Sequence, residues 1–245
     1  MNWRKRIVSL MLAAVIGMGT FLGAGVEADA AGVIAKGVDV SKYQGAVNWS
    51  AVAADGYNFA FIKVGSAKSG VDPFFAVNMI GANAAGLKTG AYLYSYATTV
   101  EGAITEAQFT IMALEGFPVN MPVVFDLEDD VHKAMAPDQL AALVVAYCSV
   151  IQSAGYYPMV YSNKNWLTTK LPPLPYDVWS AQYADACGYP NPAFWQFTDK
   201  GVVNGIAGAV DLNFQFKDYS NIIIPYGFTP RGGQTYFYNN YRMQY

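Results

Sequence analysis

From residue 37 onward the chain alternates short runs rich in branched and aromatic residues with longer stretches of helical periodicity. GVDVS (37–41), FAFIKV (59–64), TGAYLYSY (89–96), MPVVFDLE (121–128), YYPMVYS (156–162), YDVWSAQY (176–183), FWQFT (194–198) and AVDLNFQF (209–216) read as eight strands. Helical segments fall between the earlier ones. They are NWSAVAADG (48–56), a stretch opened by Asp72-Pro73 and running to about Ala85, EGAITEAQFTIMALEG (101–116), Pro137 to Ser153, and the short NKNWLTTK. Gly56, Gly86 and Gly155 stand where such helices stop. Strand, helix, strand repeated this often predicts an α/β fold with a largely parallel sheet. Eight strands favour closure into a barrel over an open sheet. Because the helices shrink or vanish late in the chain, the expectation is a modified TIM-like (β/α) barrel with eight strands and fewer helices.

The two ends of the 245-residue chain depart from this rhythm. Arg4, Lys5 and Arg6 precede an apolar run from Ile7 to Val26, and Ala28-Asp29-Ala30 has the small-x-small form of a signal-peptidase site. Residues 1–30 are therefore expected to be a secretory signal peptide, with cleavage after Ala30 and a secreted, extracellular or wall-associated product. Residues 31–217 form the barrel domain. Residues 218–245 are Tyr-rich, carry turn signals at Pro225, Pro230 and Gly232-Gly233, and read as a hairpin or arm packed on the barrel, with a sugar-contacting surface as the alternative.

Removing Arg4, Lys5, Arg6, Glu27 and Asp29 takes the net charge from −3 to −4. Without a basic patch, nucleic acid is not an expected partner, and no second long apolar run would span a membrane. The mature protein is expected to be a monomer. Cys148 and Cys187 would be compatible with a disulfide in an oxidising compartment.

In a barrel of this kind the chemistry sits at the C-terminal ends of the strands. Asp39 lies near the end of the first strand, Asp126 and Glu128 end the VVFDLE strand, and Asp211 falls in the last. Two residues apart on a strand, Asp126 and Glu128 share a face, with Cα atoms about 6.6 Å apart at a rise of about 3.3 Å per residue. Closure would bring the first and last strands together and make Asp39 and Asp211 neighbours. Like charges in one pocket raise at least one pKa and supply a protonated acid near neutral pH. Two or more carboxylates in a groove is the arrangement that glycoside hydrolysis requires.

Other chemistries fit poorly. His132 is the only histidine, so a multi-histidine metal site is excluded. It stands in a polar stretch with no nucleophile-elbow motif and reads as a solvated loop residue. Neither a P-loop nor G-x-G-x-x-G occurs, and no cofactor is expected. Aromatic residues complete the picture: Tyr92, Tyr94 and Tyr96 alternate on one strand, and Tyr161, Trp179, Tyr183 and Trp195 lie near other strand ends. Apolar sugar faces suit such platforms. Trp49 and Trp166 are assigned to packing.

GVDVSKYQG (37–45), GAYLYSY (90–96), PVVFDLED (122–129), WSAQY (179–183), WQFT (195–198) and VNGIAGAVDLN (203–213) resemble, in that order, the motifs of the family 25 glycoside hydrolases, which are lysozymes. The resemblance spans about residues 36–216. It implies a secreted N-acetylmuramidase that cuts the β-1,4 bond from N-acetylmuramic acid to N-acetylglucosamine in peptidoglycan glycan strands. Carried over by motif, Glu128 would be the general acid and Asp126 would assist the reacting sugar, for instance by orienting its N-acetyl group. Asp39 and Asp211 would shape the site and hold substrate or water. The groove would be lined by Tyr92, Tyr94, Tyr161, Trp179, Gln182, Trp195 and Gln196. One departure is Leu93, where many members have histidine. A non-catalytic wall-binding protein on the same fold, or a hydrolase of chitin-like polymers, stay open as alternatives.

Overall fold

The structure is a computed structural model that describes residues 32–244, so the expected signal peptide lies outside the described residues. Strands β1 (Ala35–Val40), β2 (Phe59–Ser66), β4 (Lys88–Tyr94), β5 (Val123–Asp126), β6 (Pro158–Asn163), β7 (Asp177–Ala181) and β8 (Phe194–Gly201) run parallel, each paired with the next. The short β3 (Gly70–Val71) folds back on β2 as a hairpin. The last strand, β9 (Val210–Gln215), is antiparallel to both β8 and β1 and closes the ring. The result is a closed, mixed, eight-stranded barrel, in agreement with the expected class.

Helices α1 (Trp49–Ala54), α2 (Phe75–Ala84), α3 (Val100–Leu114), α4 (Pro137–Ser153) and α5 (Lys164–Thr169) cover the outside. The Asp72-Pro73 start is displaced. Asp72 caps a turn through Phe74 N–H instead, and α2 begins at Phe75. No helix follows β7 or β8. There the outer wall is covered by aromatic rings: Phe197 stacks on Phe214 with centroids 4.3 Å apart, and Trp195 lies 5.8 Å from Phe197.

Period-2 alternation divides each strand between two cores. Val38, Val40, Ile62, Leu93, Phe125 and Val160 face outward onto the helices. Phe59, Phe61, Val124, Met159, Tyr161, Trp179 and Phe194 fill the barrel. The bulk of the rings dictates two glycines: a Cβ at Gly37 would stand 2.2 Å from Phe59, and one at Gly90 would stand 2.3 Å from Phe61.

Three strands, β10 (Tyr226–Arg231), β11 (Gln234–Asn239) and β12 (Arg242–Gln244), form a separate antiparallel meander from the Tyr-rich segment. It docks at the α4–β6 turn, where Met243 N–H donates to Gly155 O at 2.8 Å and the Arg242 guanidinium donates to Ala154 O. The arm thus packs on the barrel at the end opposite the C-terminal mouths of the strands. The two cysteines do not pair. Cys148 is buried inside α4, and Cys187 lies in the loop after β7. Trp49 and Trp166 are both buried, as packing requires.

Candidate active site

One pocket of about 210 Å³ opens at the C-terminal mouth of the barrel. Asp39, Asp126, Glu128 and Asp211 all line it. Asp39 on β1 stands opposite Asp211 on β9 in the antiparallel register, so closure by β9 makes them neighbours. Strand β5 ends at Asp126, yet the chain stays extended for two more residues. Leu127 donates its N–H to Tyr161 O and accepts from Ser162 Oγ, which pins its buried side chain outward. Glu128 therefore returns to the lumen face beside Asp126.

Beneath these carboxylates lies an aromatic floor. Trp179 stacks on Phe61 at 4.6 Å and meets Tyr161 edge-on at 4.6 Å. Its indole N–H donates to Asn213 Oδ1, and Asn213 Nδ2 donates in turn to Asp39 Oδ2 at 2.8 Å. Gln196 Nε2 donates to the same oxygen at 3.0 Å and accepts from Tyr161 Oη. One oxygen of Asp39 is thus fixed by two amides held from below.

Burial in this low-dielectric pocket raises the pKa of all four acids. For Asp39, which is 4% exposed, burial and then the Asp211 charge push it well above the usual range, against the two amide hydrogen bonds. Burial also raises Asp211, while a hydrogen bond from Asp39 pulls the other way. Asp126 is 3% exposed and is pushed well up by burial and then by Glu128, opposed by the Lys63 ammonium. Burial raises Glu128 too, with the Lys63 ammonium opposing. Asp126 Oδ1 is buried without a hydrogen-bond partner among the described residues. All four acids are thus biased toward holding protons, and Glu128 and Asp211 are half-buried where Asp39 and Asp126 are buried.

Tyr92, Tyr94, Tyr161, Trp179 and Gln196 line the pocket, and Trp179 is floor rather than platform. Trp195 and Gln182 do not line it. Because Gln196 points inward, the pleat turns Trp195 to the outer wall, where its indole N–H donates to Gln182 O. The Gln182 side chain turns away to accept from Gly188 N–H.

His132 is also not solvated. It is 0% exposed, and its Nε2 lies 2.8 Å from Ala97 O, tying the loop after Glu128 to the loop after β4. Glu106 holds that second loop from the other side, accepting from Ser95 Oγ and Tyr96 N–H. Asp129 caps the following turn and accepts from Tyr94 Oη, whereas Asp130 is exposed and pairs with Lys133.

Four lining residues with no role in the sequence reading are Lys63, Ser41, Tyr43 and Gln44, with Asn213 just below. Lys63 could have been found, since it is the one charge inside an apolar strand run, on the lumen parity of Phe59 and Phe61. The exposed rings at the rim are Tyr43 and Tyr183, at 80% and 56%.

A closed mixed barrel with paired carboxylates over an aromatic floor at its C-terminal mouth defines a glycoside hydrolase. The chain belongs to the glycosyl hydrolases family 25, whose model matches residues 38–206. It is 30% identical over 191 residues to the uncharacterized protein YegX of Escherichia coli K12, covering 72% of this chain and 68% of that protein. It is 28% identical over 235 residues to lysozyme M1 of Streptomyces globisporus, covering 82% and 76%. Among solved structures, the modular autolysin LytC of Streptococcus pneumoniae matches with a TM-score of 0.67 at 27% identity. That match covers 74% of this chain but only 46% of the autolysin.

Proposed function

We propose that this chain is a muramidase, hydrolysing the β-1,4 bond between N-acetylmuramic acid and N-acetylglucosamine in bacterial peptidoglycan. The observation that carries the reading is the placement of Glu128 and Asp126 side by side in one pocket, in a member of a family whose relatives include lysozymes. Glu128, the more exposed of the two, delivers its proton to the glycosidic oxygen as the bond to the anomeric carbon breaks. Asp126, at the pocket floor, orients the N-acetyl group of the reacting sugar. The acetamido carbonyl oxygen attacks the anomeric carbon from the opposite side. Water then adds to that carbon, giving its proton back to Glu128 and releasing a muramic acid reducing end. Asp39, fixed by Gln196 and Asn213, shares a proton with Asp211 and borders the space for the sugar. All four carboxylates come from one barrel, so one chain suffices. Arg4 to Ala30 supports export to the wall, where this substrate lies.

The test uses the purified chain and its Glu128→Gln variant with peptidoglycan, reading soluble fragments by mass spectrometry. Muramic acid reducing ends from the parent and none from the variant are expected. Binding to the wall without fragments from the parent would leave only a wall-binding module.

A further inference from the structure

A second depression, also of about 210 Å³, adjoins the catalytic pocket and shares Tyr43, Lys63 and Tyr94 with it. Its walls are the β2–β3 hairpin, the turn after β1 and the end of β4. The hairpin can close only because position 65 is glycine: φ is +130° there, and a Cβ would stand 2.2 Å from Gly70 O.

The character of this depression is opposite to that of the site beside it. Two ammonium groups line it and a third stands at its edge over a lining ring, each on a tyrosine face: Lys42 at 5.4 Å from the Tyr43 centroid, Lys63 at 4.5 Å from Tyr94, and, at the edge, Lys68 at 4.7 Å from Tyr96. Among the described residues, no carboxylate lies within ion-pair distance of Lys42, Lys63 or Lys68. Asp72 lines the depression, but its oxygens accept from Lys42 N–H and Phe74 N–H, which fixes it as a structural acceptor. Ser66 and Ser69 add hydroxyls joined at 2.7 Å. Lys63 already faces the charges of Asp126 and Glu128 in the adjoining pocket, but Lys42 and Lys68 have no such partner, and an anion that joins them relieves their mutual repulsion. Tyrosine faces orient the ammonium groups and leave their N–H groups free for such an anion.

We propose that this depression is an anion-recognising arm of the substrate groove, in which Lys42 and Lys68, with Lys63 at the junction, bind an acidic group carried by the glycan one step from the bond that is cut. This rests on the muramidase reading. The sugar backbone of peptidoglycan is neutral, so the anion comes either from carboxylates of the peptide stem or from a phosphodiester polymer attached to the wall. Chitin-like polymers carry neither, so the arm is also a device for selecting against them.

The test compares the full chain with a Lys42→Met/Lys68→Met variant, both outside the catalytic pocket. Substrates are soluble stem-bearing glycan strands stripped of wall polymer, and the same strands with stem carboxyls amidated. The parent is expected to show a KM about fivefold lower for the acidic strands, the size of two exposed charge pairs, with kcat unaltered. The variant should lose that preference, and salt should erase it in the parent. A parent that does not distinguish the strands, or a variant that keeps the full preference, overturns the proposal.

A poly(glycerol phosphate) competitor separates the sources. If it displaces acidic strands at equal charge concentration, the arm takes the phosphodiester as well as the stem carboxylate, and if it does not, the stem alone is the anion. Equilibrium binding of both strands to the Glu128→Gln chain is measured alongside. Preference in binding without reducing ends from any strand would sink the muramidase reading and leave the arm standing.

Discussion

Asp39 and Asp211 face one another across the antiparallel pair of β1 and β9, and only one oxygen of Asp39 is committed to the amides of Gln196 and Asn213. The other is left to hold a proton against Asp211. A buried carboxyl with a raised pKa binds more protons folded than unfolded. Its stability is therefore present at low pH and lost as pH rises from the unfolded value of about 3.9 through the raised folded value. Asn at position 39 would accept from both amides and donate to Asp211 permanently. Asp39→Asn is expected to unfold at a higher temperature than the parent at pH 7, by about 2–4 °C for each ~1 kcal/mol recovered. The advantage should vanish near pH 3. A lower melting temperature at pH 7 would show that the pair does not hold a proton.

Glu128 sits beyond the strand, half-buried, and makes no contact on which a core element depends. Glu128→Gln should fold as the parent does, with an unchanged melting curve to within a few degrees, and lose about 10²–10⁴-fold in kcat. Following reducing-end release beside circular dichroism checks both halves. An active variant would move the proton donor elsewhere among the four acids.

Lys63 stands near both Asp126 and Glu128 and favours their charged forms. Activity that needs one proton on this pair declines as pH rises above the raised pKa and also as pH falls until the second carboxyl is protonated, giving a bell-shaped profile. Lys63→Met removes the opposing charge, so both pKa values rise and both limbs of the kcat/KM profile should move to higher pH. A profile that keeps its position, or moves to lower pH, would mean that Lys63 does not act on the pair.

Much of this was legible because strand periodicity constrains both elements and faces. The eight barrel strands follow from eight apolar runs, and Asp126 and Glu128 share a face because a strand repeats every two residues. Parity without register was the weak point. Nothing in FWQFT says whether Trp195 or Gln196 points inward, and the bulky ring suggests a platform. Yet the wall beside β8 has no helix, and Trp195, Phe197 and Phe214 cover it instead. His132 was misread for a different reason. Its neighbours are polar, but its partner Ala97 lies 35 positions away, and only the fold brings the two together. Lys63 is the converse case, a lone charge in an apolar run on the lumen parity whose signal lies in the sequence and which the sequence reading leaves without a role.

The C-terminal meander hangs on a contact at Gly155, where φ is +86° and a Cβ would stand 2.2 Å from Met243 O. Gly155→Ala therefore meets two costs, about 1 kcal/mol for the left-handed backbone and the displacement of β12. Because the meander lies at the far end of the barrel from Glu128, these costs should fall on the arm and not on the chemistry. The variant is expected to melt several degrees lower and to be clipped by protease between residues 217 and 226 faster than the parent. Its kcat on soluble glycan should stay within about twofold, since surface changes remote from a site rarely alter it. Equal clipping rates would show that β12 does not anchor the arm. A large fall in kcat with the barrel still folded would show that the arm acts on the site from across the barrel.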